Sequence, residues 1–238
     1  MKSSLRIGNI NHVPISLHWT FLLLIGWIIT VNFLEGFTAS GIVWSLLLMI
    51  FILASILLHE LGHAFMSNYY NIRIHAIVLS PVGSISKVPL QSKKPVREIL
   101  ILLSGPVVNL VIAGLLIIFI HPFRAYWADA ENIGAANAGN FLFQLVIINL
   151  SLGIVNLLPV FPMDGGGVFF LLANKKLSKL ASLRIVNITS QIIAFTLMIF
   201  GLIAMHILFM MLGLFILTLI YTEDYYWPPK NEYHHLHI

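Results

Sequence analysis

From Ile185 to Thr222 the chain runs for 38 residues without an Asp, Glu, Lys or Arg, and from Gly36 to Asn71 it carries one, Glu60. A hydrocarbon core about 30 Å thick needs roughly 20 helical residues to cross it. Within lipid a helix satisfies every backbone group inside its own segment. Six runs meet that demand: Leu17 to Leu34, Trp44 to Tyr70, Ile99 to Ile120, Phe141 to Leu158, Ala181 to Phe200 and Leu202 to Tyr221. The last two divide a stretch too long for one span, with the break placed near Gly201 as a tight helical hairpin. The expected fold is therefore an all-α polytopic membrane protein of about six transmembrane helices.

Only 9% of the 238 residues are charged, against about a quarter in a soluble globular chain. Little is left for a soluble domain, so residues 1–238 read as one membrane-embedded domain. Its core spans fall at about 44–164, with peripheral spans at about 17–34, 181–200 and 202–221. The first run follows Lys2 and Arg6 but is longer than a signal core of about 7 to 15 residues, and it reads as a retained span. There are no cysteines, which leaves nitrogen and oxygen as the donors for any metal.

A pI near 9.4 and a net charge of +4 could point to a nucleic-acid partner, but the basic residues sit in short loops rather than along one face. Lys2 and Arg6 precede the first span. Arg73, Lys87, Lys93, Lys94 and Arg97 fall between the second and third, Lys175, Lys176, Lys179 and Arg184 precede or open the fifth, and Lys230 is in the tail. With six spans these lie on one side and Arg124 alone on the other, which places both termini in the cytoplasm. Tyr225, Tyr226 and Trp227 fit an interfacial aromatic belt.

One segment departs from the helical pattern. In Ile72 to Pro89, Ile72, Ile74, Ala76 and Val78 alternate with Arg73, His75 and Ile77, and Pro81 and Gly83 supply a turn before Ile85 and Val88. A short hairpin at the cytoplasmic membrane face is expected there; an amphipathic interfacial loop is the alternative.

The second span contains His59-Glu60-Leu61-Gly62-His63. On a helix, residues four apart share a face, so both imidazoles can reach one Zn²⁺ while Glu60 reaches a water beside it. A carboxylate at the centre of an uncharged span costs about 2.5 to 3.5 kcal/mol on insertion scales, which makes Glu60 a functional candidate. The competing reading is a polar cluster that holds helices together.

Two imidazoles leave a catalytic zinc one protein ligand short. Asp164 is the other acid beside apolar structure, in Asn156-Leu157-Leu158-Pro159-Val160-Phe161-Pro162-Met163-Asp164-Gly165-Gly166. There Pro159 and Pro162 end the fourth helix. Asp164 is either that ligand or the N-cap of a following short helix.

With these two motifs in hand, the sequence resembles the site-2 protease family of intramembrane zinc metalloproteases. His59 to His63 matches the family's zinc motif, and Asn156 through Gly165 its later Asp-Gly motif, whose Asp is the third ligand. Pro14 to Trp19, Gly105-Pro106-Val107-Val108-Asn109 and a hairpin after the zinc helix agree as well. The likeness runs from about residue 12 to 222, with motif order as its specific feature. Many relatives insert a PDZ domain or append a CBS domain. This chain resembles the compact form without either, and it has Gly167 where close relatives often have Arg.

The resemblance implies one zinc per chain held by His59, His63 and Asp164, with Glu60 as general base. It also implies hydrolysis of a peptide bond in or near the transmembrane segment of a single-span membrane-protein substrate. Asn109, Asn156, Gly83 and Ser84 are candidate supporting or substrate-binding residues, although Asn109 and Asn156 could equally serve helix packing. His18 reads as an interfacial cap, and the tail's His234, His235 and His237 as adventitious metal binders. A lipid bilayer and a regulatory membrane protein are the other expected partners, nucleic acid is not, and a prokaryotic cell membrane is the expected location. Rival readings are a zinc transporter and a catalytically silent membrane protein that binds partners. His63 lies about eight residues before the cytoplasmic end of its helix, or roughly 12 Å.

Overall fold

The computed structural model describes residues 4–10, 13–72, 77–80, 83–86, 95–120 and 140–221. Four strands form one sheet, of which the sequence led to the expectation of two. β1 (Ser4–Ile10) and β2 (Val13–His18) pair antiparallel, β3 (Ile77–Ser80) runs parallel to β2, and β4 (Gly83–Ser86) folds back on β3. The order in the sheet is β1-β2-β3-β4. The expected hairpin is present as β3 and β4, but as half of a larger sheet; residues 73–76, 81–82 and 87–90 lie outside the described residues.

A parallel pair needs a crossover of a dozen or more residues. Here the two helices α1 (Thr20–Leu34) and α2 (Ala39–Tyr69) lie between β2 and β3 in the chain. Ile15 of β2 and Phe21 of α1 are buried together, with Leu53, Ile56, Leu57, Leu61 and Ala64 of α2 packed around them. That packing seats the sheet at one flank of the zinc-motif helix.

α3 is Pro95–Ile120, α4 Phe141–Leu157, α5 Asp164–Ala173, α6 Lys179–Ile203 and α7 Ile207–Tyr221. Each of the six expected spans is thus mostly helical, but among the described residues only α2, α3 and α6 are long and apolar enough to cross a membrane, with 31, 26 and 25 residues. α1, α4 and α7 have 15, 17 and 15. α1 is shorter than expected because β2 takes Leu17 and His18 into the sheet. His18 then caps the helix start: its Nδ1 lies 2.9 Å from Thr20 Oγ1 and accepts from the Thr20 N–H.

Three helices end in one and the same way. After α1, α2 and α6, the residues Gly36, Asn71 and Met205 take positive φ of 76°, 59° and 56°. In each case the next N–H reaches back to the carbonyl three residues before the helix cap: Phe37 to Asn32, Ile72 to Ser67 and His206 to Gly201. This is the Schellman arrangement, which satisfies carbonyls that the helix leaves open. Its use at α2 stops that helix at Tyr69, so His63 lies six residues, or about 9 Å, from the end rather than 12 Å. At α6 it moves the break from Gly201 to residues 204–206.

The described residues fall into two compact units, within Met1–Gln91 plus Ser104–Ile154 and within Ser92–Leu103 plus Val155–Ile238. In the second, one core gathers Phe161, Phe170, Leu171, Leu183 and Val186, and another Val160, Ala194, Ile216 and Ile220.

Candidate metal centre

α2 turns one polar stripe inward in the first unit. Ser55, His59, Glu60, His63 and Ser67 are all buried, at spacings that follow the helical repeat. Gly62 on the same stretch allows α3 to come close: a Cβ there would lie 2.9 Å from the Ser104 carbonyl oxygen and from Val108 Cγ2. Gly153 plays the same part on α4, where a Cβ would meet Leu110 at 2.8 Å and the Pro106 oxygen at 3.3 Å. Small residues of this kind let helix backbones approach where no water drives them together.

The His59 and His63 Nε2 atoms converge to 3.1 Å. Two nitrogens held at 2.0 to 2.1 Å by one tetrahedral zinc lie about 3.3 Å apart, so the pair already stands near a metal-binding separation. Glu60 belongs to the same cluster: one ligand atom from each of the three residues lies within 4.8 Å of the others. Its Oε2 is buried without a hydrogen-bond partner. A carboxylate oxygen taken from water and left unmatched is costly, and a cation with its water would supply what is missing. Gly105 of α3 supplies the space, because a side chain there would be driven into the Nε2 atoms of both histidines. The donor set, the unmatched oxygen and the open space all fit a zinc ion.

On its other side His59 Nδ1 lies 3.1 Å from Asn109 Oδ1. Asn109 Nδ2 donates to Asn149 Oδ1 at 3.4 Å, and Asn149 Nδ2 to the Leu145 carbonyl at 2.9 Å. Asn109 and Asn149 are fully buried. Asn109 was a supporting candidate in the sequence, whereas Asn149 was missed. The available signal was an amide in the middle of the apolar run of α4, which also carries Gln144 and Asn156.

Asp164 lies in the second unit, as the first residue of α5. The N-cap position belongs to Met163, so the capping role is not the one Asp164 fills; it stands in the first turn, where the helix dipole favours a carboxylate. The following glycines are required by close backbone approach. A Cβ on Gly165 would be forced onto the carbonyls of Leu157 and Leu158, and one on Gly166 would lie 2.5 Å from the Val160 carbonyl. Ser190 of α6 steadies the preceding loop: its Oγ accepts the Phe161 N–H at 2.9 Å and donates to the Val186 carbonyl at 2.8 Å. Gly167, in the position noted for Arg in relatives, has Leu102 Cδ1 2.9 Å from where its Cβ would be.

Asn156 lies in the last turn of α4 in the second unit. Gly83 and Ser84 are in β4, paired with Ser80 and Leu79 of β3. His234, His235 and His237 lie outside the described residues.

Comparison with known proteins bears on the family and the fold. The model of peptidase family M50 matches residues 47–126 and 120–200. A zinc metalloprotease of Methanocaldococcus jannaschii is 32% identical over 219 residues, which are 91% of this chain and 59% of that protein. The stage IV sporulation protein FB of Bacillus subtilis is 32% identical over 128 residues, 53% of this chain and 40% of that protein. This chain therefore spans well under two thirds of the length of either relative. The solved structure of a site-2 protease from Methanocaldococcus jannaschii superposes with a TM-score of 0.65 at 30% identity, covering 90% of this chain and 91% of that one.

Proposed function

The chain belongs to peptidase family M50, and from that membership we propose that it is an intramembrane zinc endopeptidase, cutting a peptide bond in or near a transmembrane segment of a membrane protein. The observation that carries the reading is the convergence of the His59 and His63 Nε2 atoms at 3.1 Å beside the buried Glu60 carboxylate. Asp164 is proposed as third ligand on the strength of its Asp-Gly-Gly motif, with one zinc per chain.

A zinc ion held there supplies Lewis acidity toward the scissile carbonyl and toward water. Glu60 takes the proton of the attacking water and returns it to the departing amide nitrogen. The C–N bond is thereby exchanged for C–O and N–H without a covalent enzyme intermediate. Gly105 keeps α3 from closing the space between the two imidazoles.

A helical peptide bond is shielded by its own hydrogen bonds, so the substrate has to unwind, and amides exposed in lipid cost several kcal/mol each. The outer edge of β4 offers backbone partners for an added strand. Both termini are proposed to be cytoplasmic, which puts the cut nearer that side.

The test is Glu60→Gln beside His59→Ala in purified protein. Glu60→Gln should lose proteolysis by about 10² to 10⁴-fold with zinc retained, and His59→Ala should lose the zinc. Wild-type turnover in Glu60→Gln would show that another group takes the proton, and zinc flux across proteoliposomes would sink the protease reading in favour of a transporter.

A further inference from the structure

Resting on the zinc reading above, we infer that Asn149 and Asn109 act in series as positioning residues that lock His59 in the tautomer with its proton on Nδ1, so that the Nε2 lone pair is the donor offered to the metal. The direction of the chain is fixed at its far end. The Leu145 carbonyl can only accept, so the Asn149 group 2.9 Å from it is the amide Nδ2. That turns Asn149 Oδ1 toward Asn109, which must then present Nδ2 to it at 3.4 Å. Asn109 is left with Oδ1 facing His59 Nδ1 at 3.1 Å, and an amide oxygen there demands a proton on the imidazole nitrogen.

Neutral imidazole carries one proton, so Nε2 keeps its lone pair and points at His63 Nε2. Burial makes each step firm: Asn109 is fully buried and Asn149 is 1% exposed, so water is not at hand to replace a lost partner. Partners of this kind fix ring orientation and tautomer in metal sites, and losing one typically weakens metal binding about 10- to 100-fold. The outermost member is a backbone carbonyl of α4, so α4 sets the orientation of a ligand borne on α2 through Asn109 of α3.

The experiment is a zinc titration of the full chain in detergent against a competing chelator, with nitrogen-15 histidine spectra of the zinc-free protein. Wild type should bind one zinc and show the His59 Nδ1–H tautomer. Asn109→Leu should weaken zinc about 10- to 100-fold and lose that single tautomer, whereas Asn109→Asp, which keeps an acceptor, should recover most of the affinity. Because the residues act in series, Asn109→Leu with Asn149→Leu should be no weaker than Asn109→Leu alone. Losses that multiply in the double variant would mean two independent packing roles and overturn the inference. So would equal zinc affinity for Asn109→Leu and Asn109→Asp. Failure of wild type to bind zinc at all is a different result, and it would remove the zinc reading itself.

Discussion

The two units place their chemistry in opposite ways. In the first, the candidate ligand His59 is aimed by other side chains: His59 is held by Asn109, and Asn109 by Asn149. In the second, Asp164 is placed by backbone, through two prolines that end α4 and glycines that let α5 start against the Leu157, Leu158 and Val160 carbonyls. Ser190 holds that loop by a main-chain N–H. The difference follows from where each residue sits. A ligand in mid-helix has its backbone already satisfied and can be adjusted only at its side chain, whereas a helix start has open N–H groups and depends on the path of the loop before it.

The contrast breaks most visibly when one methyl group is added on each side. Gly165→Ala drives a Cβ onto two main-chain carbonyls that cannot move alone, and it should destabilise the protein by about 3 kcal/mol or more, beyond ordinary overpacking. At Gly105→Ala the three atoms nearest the new Cβ are imidazole tips. The substitution should abolish zinc binding while moving the unfolding midpoint little, because side chains can rotate away. Thermal unfolding and metal analysis on both variants check this, with Gly114→Ala, which faces open space, as control. If Gly105→Ala unfolds as readily as Gly165→Ala, the distinction between the units is wrong.

A smaller effect sharpens the same contrast. Ser190→Ala leaves the buried Phe161 N–H without its acceptor, a loss of about 1 to 3 kcal/mol. Ser190→Thr keeps an Oγ and should recover much of it. A stability change below a few tenths for Ser190→Ala would show that Ser190 does not hold the loop.

Legibility in the sequence divides along the same line. His59, Glu60 and His63 were readable because a helical repeat fixes which residues share a face, and an acid in an apolar run has few bland explanations. The sheet was half readable. Alternation around residues 72–88 announced β3 and β4, but β2 was hidden because Leu17 and His18 adjoin an apolar run and their strand character comes from pairing with β1 and β3 on either side. Asn149 was passed over because an uncharged amide does not interrupt a count of charges, although its burial shows in the fold at once. The break in the long uncharged run was placed at Gly201, the residue that most often ends helices. In the structure Gly201 stays helical because its missing Cβ is where Met210 packs, 2.6 Å from the Met210 nitrogen.

That misplaced break leads to the smallest expected effect, in which the comparison turns on helix ends. The first unit closes α1 with Gly36 and α2 with Asn71 at left-handed positions, and both residue types tolerate that backbone. The second unit closes α6 with Met205 at φ 56°. A side chain there costs about 1 to 2 kcal/mol through its Cβ, and Met205 recovers little by packing, since it is 90% exposed. Glycine removes the strain but loses about 0.5 to 1 kcal/mol more entropy on folding. Met205→Gly should therefore stabilise the protein by only about 0.5 to 1 kcal/mol, the difference of those two terms. Met205→Ala keeps the Cβ and should leave stability unchanged. Unfolding of the three proteins in one detergent would separate the cases. A gain in Met205→Ala equal to that in Met205→Gly would locate the cost in the long side chain instead of the backbone, and the second unit would then end its helix as comfortably as the first.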